Sequence, residues 1–142
     1  MSLFSLVYVS FASHDLTDDE LKDILVVARD TNKPLEITGM LLYRDRFFIQ
    51  ALEGDEAAVR GLYEKIAKDP RHINVLTVYT GPIEARRFPD WTMGFNKIAD
   101  ATVEQLPGFT DFLNRPGDGA FFTENPDRAV MLLELFKNES FY

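Results

Sequence analysis

The stretch ITGMLLYRDRFFIQALEGD, residues 37–55, constrains the fold of this chain more than any other. Two apolar runs meet across the charged Arg44-Asp45-Arg46 break, which predicts a β-hairpin of strands 37–43 and 47–53. Neither run reads as polar on one side. A sheet built on this hairpin is therefore buried on both faces and needs a cover on each.

The flanking segments supply strands and helices in a definite order. LFSLVYVS, residues 3–10, is β-branched and aromatic and predicts a strand that stops at the polar FASHD. Thr17 followed by Glu20 is a capping-box signature, and Leu21, Ile24, Leu25 and Ala28 recur at helical spacing up to the Asn32-Lys33-Pro34 breaker, so a helix is expected over 18–30. Gly54-Asp55 closes the hairpin. Asp55 can then cap a second helix whose apolar face is Val59, Leu62, Tyr63 and Ile66, ending before Asp69-Pro70. Residues 73–83, INVLTVYTGPI, carry no charge and predict a strand, as does FPDWTMGFNKI over 88–98.

The order is βαββαββ, which fits an α+β, ferredoxin-like sandwich: a five-stranded mixed sheet with two helices on one face. Two amphipathic segments follow, 102–114 and 126–138, the second with Val130, Leu133 and Phe136 at helical spacing, separated by the PGDG break at 116–119. This C-terminal helical pair is expected to cover the second face. The division expected is a domain over 1–98 and a helical extension over 99–142 that packs on the sheet.

A chain of 142 residues has room for one such domain and a tail. Without cysteine it has no disulfide, thiolate metal site or sulfur nucleophile. The formal net charge of -8 opposes binding to nucleic acid or an anionic membrane surface and favours protein or small-molecule partners. No apolar run is long enough for a membrane span, and MSLFSLVYVS lacks the pattern of a signal peptide, so a cytoplasmic location is expected.

Common catalytic signatures are missing. The chain has no GxSxG, GxGxxG, GxxxxGK or HExxH, and Gly117-Asp118-Gly119 reads as a plain turn. With only His14 and His72, a three-histidine metal site is excluded. Asp18-Asp19-Glu20 and Asp55-Glu56 stand at helix starts, where the dipole favours negative charge without any catalytic task. Arg44, Arg46, Arg86 and Arg87 read as solvated loop residues.

One residue resists the structural reading. Strand alternation puts Phe48, Gln50 and Leu52 on one face, and Gln50 inside FFIQAL has no local partner for its oxygen and two amide hydrogens. It points either to Tyr8, which shares a face with Phe4 and Leu6 on the first strand, or to a bound polar ligand. A core amide satisfied by backbone or water remains the alternative.

Tyr8, Asn32, ITGM at 37–40, FIQ at 48–50, LEG at 52–54, DPRH at 69–72 and FPDWTM at 88–93 form an ordered set. Together they resemble the BLUF family of blue-light photoreceptors, which hold a flavin noncovalently. The resemblance runs from about residue 3 to residue 97, and the short tail is similar to that of single-domain, PixD-like members.

The resemblance implies a flavin ring between the two helices, with Ile24 and Ile66 gripping its body and Asn32 bonded to its polar edge. Tyr8, Ala28, Arg29, Thr31, Phe48, Gln50, Leu52, Lys65, Asp69 and His72 complete the implied cofactor-binding set. Ala28 and Thr31 stand where family members often carry serine and a second amide.

The same resemblance implies light-driven electron transfer from Tyr8 and proton motion through Gln50, which is left rotated or tautomerised and red-shifts the flavin. It gives Trp91 and Met93 the role of passing the change to the last strand and the C-terminal helices; alternation over 88–98 places both on the Gln50 side of the sheet. FAD is the family's usual chromophore, with FMN or riboflavin as alternatives. No enzymatic output is expected, and the expected partners are a second copy of the chain and a downstream protein. Two other functions fit the same pocket: a flavin-dependent redox enzyme, and a ligand-free ferredoxin-like interaction module.

Overall fold

The computed structural model describes residues 3–89, 91–99, 122 and 124–135. Strand β1 spans Leu3–Ala12, helix α1 Asp18–Asn32, the hairpin β2 Thr38–Arg44 and β3 Phe47–Gly54, helix α2 Glu56–Lys68, β4 His72–Ile83, β5 Gly94–Lys97 and helix α3 Pro126–Glu134. The five strands lie in the order β4-β1-β3-β2-β5. Each neighbouring pair is antiparallel except β2 and β5, which run parallel. This is the mixed, ferredoxin-like α+β sheet expected.

Local chemistry starts each element where the sequence predicts. Thr17 accepts from the Glu20 N–H while the Glu20 carboxylate accepts from the Thr17 N–H, so the capping box is formed at both ends. Asp55 accepts from the Ala58 N–H and opens α2. Asp45 and Arg46 both adopt positive φ, 46° and 73°, as a two-residue type I′ hairpin loop requires.

Strands β1, β2 and β3 are buried on both sides, whereas β4 at the edge of the sheet is largely exposed. Phe4, Leu6, Tyr8, Leu41, Phe48 and Leu52 pack against Leu21 and Leu25 of α1 and Val59 of α2. Val7, Val9, Leu42, Phe47, Ile49 and Ala51 face the other way and pack against Phe122, Ala129, Leu132 and Leu133. The Phe47 and Phe122 rings stack with centroids 6.0 Å apart. Burying one such leucine contributes roughly 1.5–3 kcal/mol, so α3 is a structural part of the sheet's second layer. The amphipathic segment 102–114, the PGDG turn and Phe136 lie outside the described residues.

The last strand departs from expectation. It begins at Gly94 rather than residue 88, because the segment before it is fastened sideways instead of joining the ladder. The Trp91 carbonyl accepts from the Gly39 N–H at 3.0 Å, and the Arg87 and Phe88 N–H groups turn to the Glu53 carboxylate. Alternation therefore fails over 91–93. Trp91 packs with the α3-side core, on the face opposite Gln50, whereas Met93 joins the helix-side core. Placing Trp91 beside Gln50 is corrected accordingly.

Gly39 sits where this segment crosses β2. A Cβ there would collide with the Ala51 backbone carbonyl and come within 3.2 Å of the Met93 methyl. Gly39→Ala is expected to cost about 3 kcal/mol or more, the upper range for overpacking. Urea unfolding of the two proteins checks this; equal stability would mean that β2 and β3 separate without penalty.

Candidate functional site

Five strands bring one row of side chains under the helices. Tyr8 faces Thr77 of β4 on one side and Gln50 of β3 on the other, Gln50 faces Leu41 of β2, and Leu41 faces Phe95 of β5. Above Tyr8 and Gln50 the two helices part. The cavity between them measures about 230 Å³ and is lined by Tyr8, Ile24, Val27, Ala28, Thr31, Asn32, Leu41, Gln50, Leu62, Lys65, Ile66, Asp69, Arg71 and His72.

Packing explains why it is open. On α1, Leu21 and Leu25 are fully buried while Ile24 and Ala28 of the same inward stripe are only half-buried. On α2, Val59 is buried while Leu62 and Ile66 are not. Both helices thus rest on the sheet near one end and turn unfilled apolar surface towards each other at the other.

Tyr8 and Gln50 form the polar floor. The Tyr8 hydroxyl donates to Gln50 Oε1, and both residues are buried. Burial, followed by the neighbouring Tyr63 and Asp69, pushes the Tyr8 pKa far up, so the phenol holds its proton throughout the neutral range. Gln50 Nε2 donates to Met93 Sδ at 3.2 Å. One end of the amide therefore has a strong phenolic partner and the other a thioether, a weak acceptor.

The remaining polar groups divide between holding the chain and lining the cleft. Asn32 Nδ2 gives one hydrogen to the Thr92 carbonyl at 3.0 Å; an amide of this kind has a second hydrogen and an acceptor oxygen to offer a ligand. His72 Nδ1 pairs with Ser10 Oγ at 2.8 Å, and burial lowers its pKa. At the mouth, Asp69 binds Arg71 at 2.6 Å, which lowers the carboxyl pKa and raises that of the guanidinium.

Ten of the expected binding residues line this cavity: Tyr8, Ile24, Ala28, Thr31, Asn32, Gln50, Lys65, Ile66, Asp69 and His72. Three do not. Phe48 and Leu52 share Gln50's face, but the core over β3 covers them. Arg29 turns away from the rim, its Nε donating to the Met93 carbonyl at 3.0 Å. Four lining residues were not anticipated. Val27, Leu62 and Leu41 were legible, the first two at helical spacing from Thr31 and Ile66 and the third as Gln50's neighbour across the hairpin. Arg71 sits in a turn, and no periodicity points to it. Among the described residues, no group of three or more histidines and carboxylates could hold a metal ion, and no helix is long and apolar enough to cross a membrane.

An apolar slot with an amide and a phenol on its floor and charged groups at its mouth suits a flat heteroaromatic ligand carrying polar edges. The fold and cleft together define a small-molecule-binding α+β domain. Residues 3–94 match the profile of the BLUF family, described as sensors of blue-light using FAD. The chain is 40% identical over 109 residues to the photoactivated adenylate cyclase subunit beta of Euglena longa, covering 76% of this chain and 12% of that protein. It thus spans about an eighth of that relative's length.

Two solved structures are similar over most of their own length. The photo-activated state of BlsA has 34% identity and a TM-score of 0.70, covering 86% of this chain and 92% of that one. The dark state of BlrB, a BLUF protein, has 35% identity and a TM-score of 0.64, covering 91% and 95%. The chain belongs to the BLUF family of flavin-based blue-light sensors.

His72 provides a test of the site's electrostatics. Its pKa is lowered on folding, so the unfolded chain takes up a proton near about pH 6.5 that the folded chain refuses. Stability contributed by neutral His72 is therefore present above that pH and lost as pH falls through it. The melting temperature is expected to fall between about pH 7.5 and about 5.5, and His72→Gln is expected to flatten that slope. An unchanged slope would place the titration elsewhere.

Proposed function

We propose that this chain senses blue light through a flavin held in the α1/α2 cleft and reports by a change in the hydrogen bonds of Gln50. The observation that carries the reading is the buried Tyr8–Gln50–Met93 chain on the cleft floor. Bound flavin supplies visible absorption and, once excited, a strong oxidant.

The residues of this chain do the rest. Ile24, Ile66, Val27 and Leu41 hold an apolar ring and exclude water, while Asn32 presents its amide to a polar edge. Tyr8 is the phenol positioned to lose an electron, and its proton already points at Gln50 Oε1. Gln50 would pass the proton on and, once electron and proton have returned to Tyr8, be left turned or tautomerised, so that a donor stands where an acceptor stood. Its bond to Met93 Sδ is the weaker of its two contacts, so leaving it costs less than the ~1 kcal/mol of an ordinary hydrogen bond. Of the acid and base groups that line the cleft, Asp69 is paired with Arg71 and His72 with Ser10, which supports a sensor over a redox enzyme.

FAD is the form proposed, with Lys65 in the cleft lining as the cation to meet phosphate, beside the Asp69-paired Arg71. Residues 1–98 form the light-sensing domain in this reading, and 99–142 an extension that carries the signal to a second copy or another protein. The net charge of -8, the exposed Met131 on α3 and the exposed Leu135 that caps it support a protein partner. Met93 relays the change from the cleft side and Trp91 from the α3 side.

Purified protein is expected to be yellow and to show a small red shift under blue light that decays in the dark. Gln50→Leu and Tyr8→Phe are expected to keep the flavin and lose the shift. A colourless protein that refuses added flavin would defeat the reading, and a normal photocycle in either variant would defeat the roles given to these two residues.

A further inference from the structure

Glu53 is a charged residue in the sheet interior that the photochemistry does not use. It lies three residues beyond Gln50 on β3 and so faces the opposite layer, where its exposure is 0%. Burying a carboxylate is costly unless its oxygens are filled by donors. Here both are. Oε2 accepts from the Arg87 N–H at 2.8 Å and Oε1 from the Phe88 N–H at 2.9 Å. Arg86 locks the same corner, donating to the Glu53 carbonyl at 3.0 Å and to Thr38 Oγ1 at 2.8 Å.

These bonds lie at one end of the short segment whose other end carries Met93. Two consecutive N–H groups held by one carboxylate fix the direction in which the backbone leaves Phe88, whose ring is buried in the α3-side core. From there the Trp91 carbonyl is tied to Gly39, that of Thr92 to Asn32 and that of Met93 to Arg29, leaving Met93 Sδ against Gln50 Nε2. Arg87 also reaches Glu134 of α3 at 3.7 Å. The carboxylate thus anchors a strap that touches the cleft amide at one end and α3 at the other.

We infer that Glu53 is a positioning residue: by clamping the Arg87 and Phe88 N–H groups it sets the place of Met93 and thereby how long Gln50 stays in its light-state pose. An apolar residue at this site would fill the same space without orienting the strap. The inference rests on the photoreceptor reading.

The test is Glu53→Gln, which keeps the shape but turns an amide N–H towards one of the two backbone donors. Flavin binding and the light-induced shift are expected to persist, while dark recovery speeds up about tenfold, the effect of a lost buried acceptor on a barrier. Thr38→Val, which removes the Arg86 partner without touching the carboxylate, is expected to act in the same direction by about threefold and serves if Glu53→Gln does not fold. Val59→Ala, a destabilised control in the α2 core, is expected to recover at the unsubstituted rate.

Emission from Trp91, the single tryptophan of the chain, gives a second readout in the protein as purified and is expected to move to longer wavelength in Glu53→Gln. Unaltered recovery and emission in a less stable Glu53→Gln, or equal acceleration in Val59→Ala, would overturn the positioning role. Absence of any light-induced shift in the unsubstituted chain would instead overturn the photoreceptor reading.

Discussion

The hydrogen bond from the Tyr8 hydroxyl to Gln50 Oε1 is the constraint around which the cleft is organised. It exists because antiparallel register sets Tyr8 directly across from Gln50 on adjacent central strands. A slip of one residue between these strands would turn one of the two side chains to the opposite face and leave the phenol and the amide in different layers. The two-sided burial of β1 and β3 prevents that slip. Each face has its own apolar set and its own cover, so the register that places the phenol beside the amide is also the register that buries both cores.

The same arrangement explains how a buried amide can have two poses. Gln50 is fixed strongly at Oε1 and weakly at Nε2, where it meets a sulfur. A backbone carbonyl in place of Met93 Sδ would make a firm partner and hold the amide in one orientation. A purely apolar neighbour would leave the amide hydrogens unsatisfied and favour escape to another partner. A thioether lies between these limits, which suits an element that must be stable in the dark yet leave its pose at small cost.

Much of this was written in local patterns. The capping box at Thr17 and Glu20, the cap at Asp55 and the uncharged run at 73–83 placed both helices and β4 within one or two residues of their observed bounds. Period two brought Tyr8 and Gln50 to one face. What local pattern could not reveal is the strap before β5, because the agents that hold it are distant in sequence: Glu53, Gly39, Asn32 and Arg29. Strand propensity over 88–98 was real, but a carboxylate on β3 took the N–H groups that a longer ladder would have used. Trp91 consequently left the face that alternation assigned to it. Arg86 and Arg44 were misread for a related reason. Their sequence context reads as solvated loop, yet Arg86 donates to Thr38 Oγ1 and the Glu53 carbonyl, and Arg44, 7% exposed, donates to the Ile98 carbonyl at 2.8 Å.

The strap also answers why the two faces of the sheet need not behave independently. A well-packed β-sheet is a poor conductor of a small side-chain movement, since moving any strand breaks a ladder. Residues 91–93 lie outside strand β5 and are held by single bonds from Gly39, Asn32 and Arg29, so they can shift without breaking a whole ladder, and they span both layers. Met93 rests in the helix-side core beside the cleft amide, whereas Phe88 and Trp91 rest in the core shared with α3. Gly94 lets the chain pass between them, since a Cβ there would lie 2.8 Å from the Met40 methyl and 3.0 Å from the Trp91 ring. A change of partner at Gln50 therefore has a route to α3 through Met93 and Trp91, neighbours in sequence that rest in different layers and lie outside strand β5.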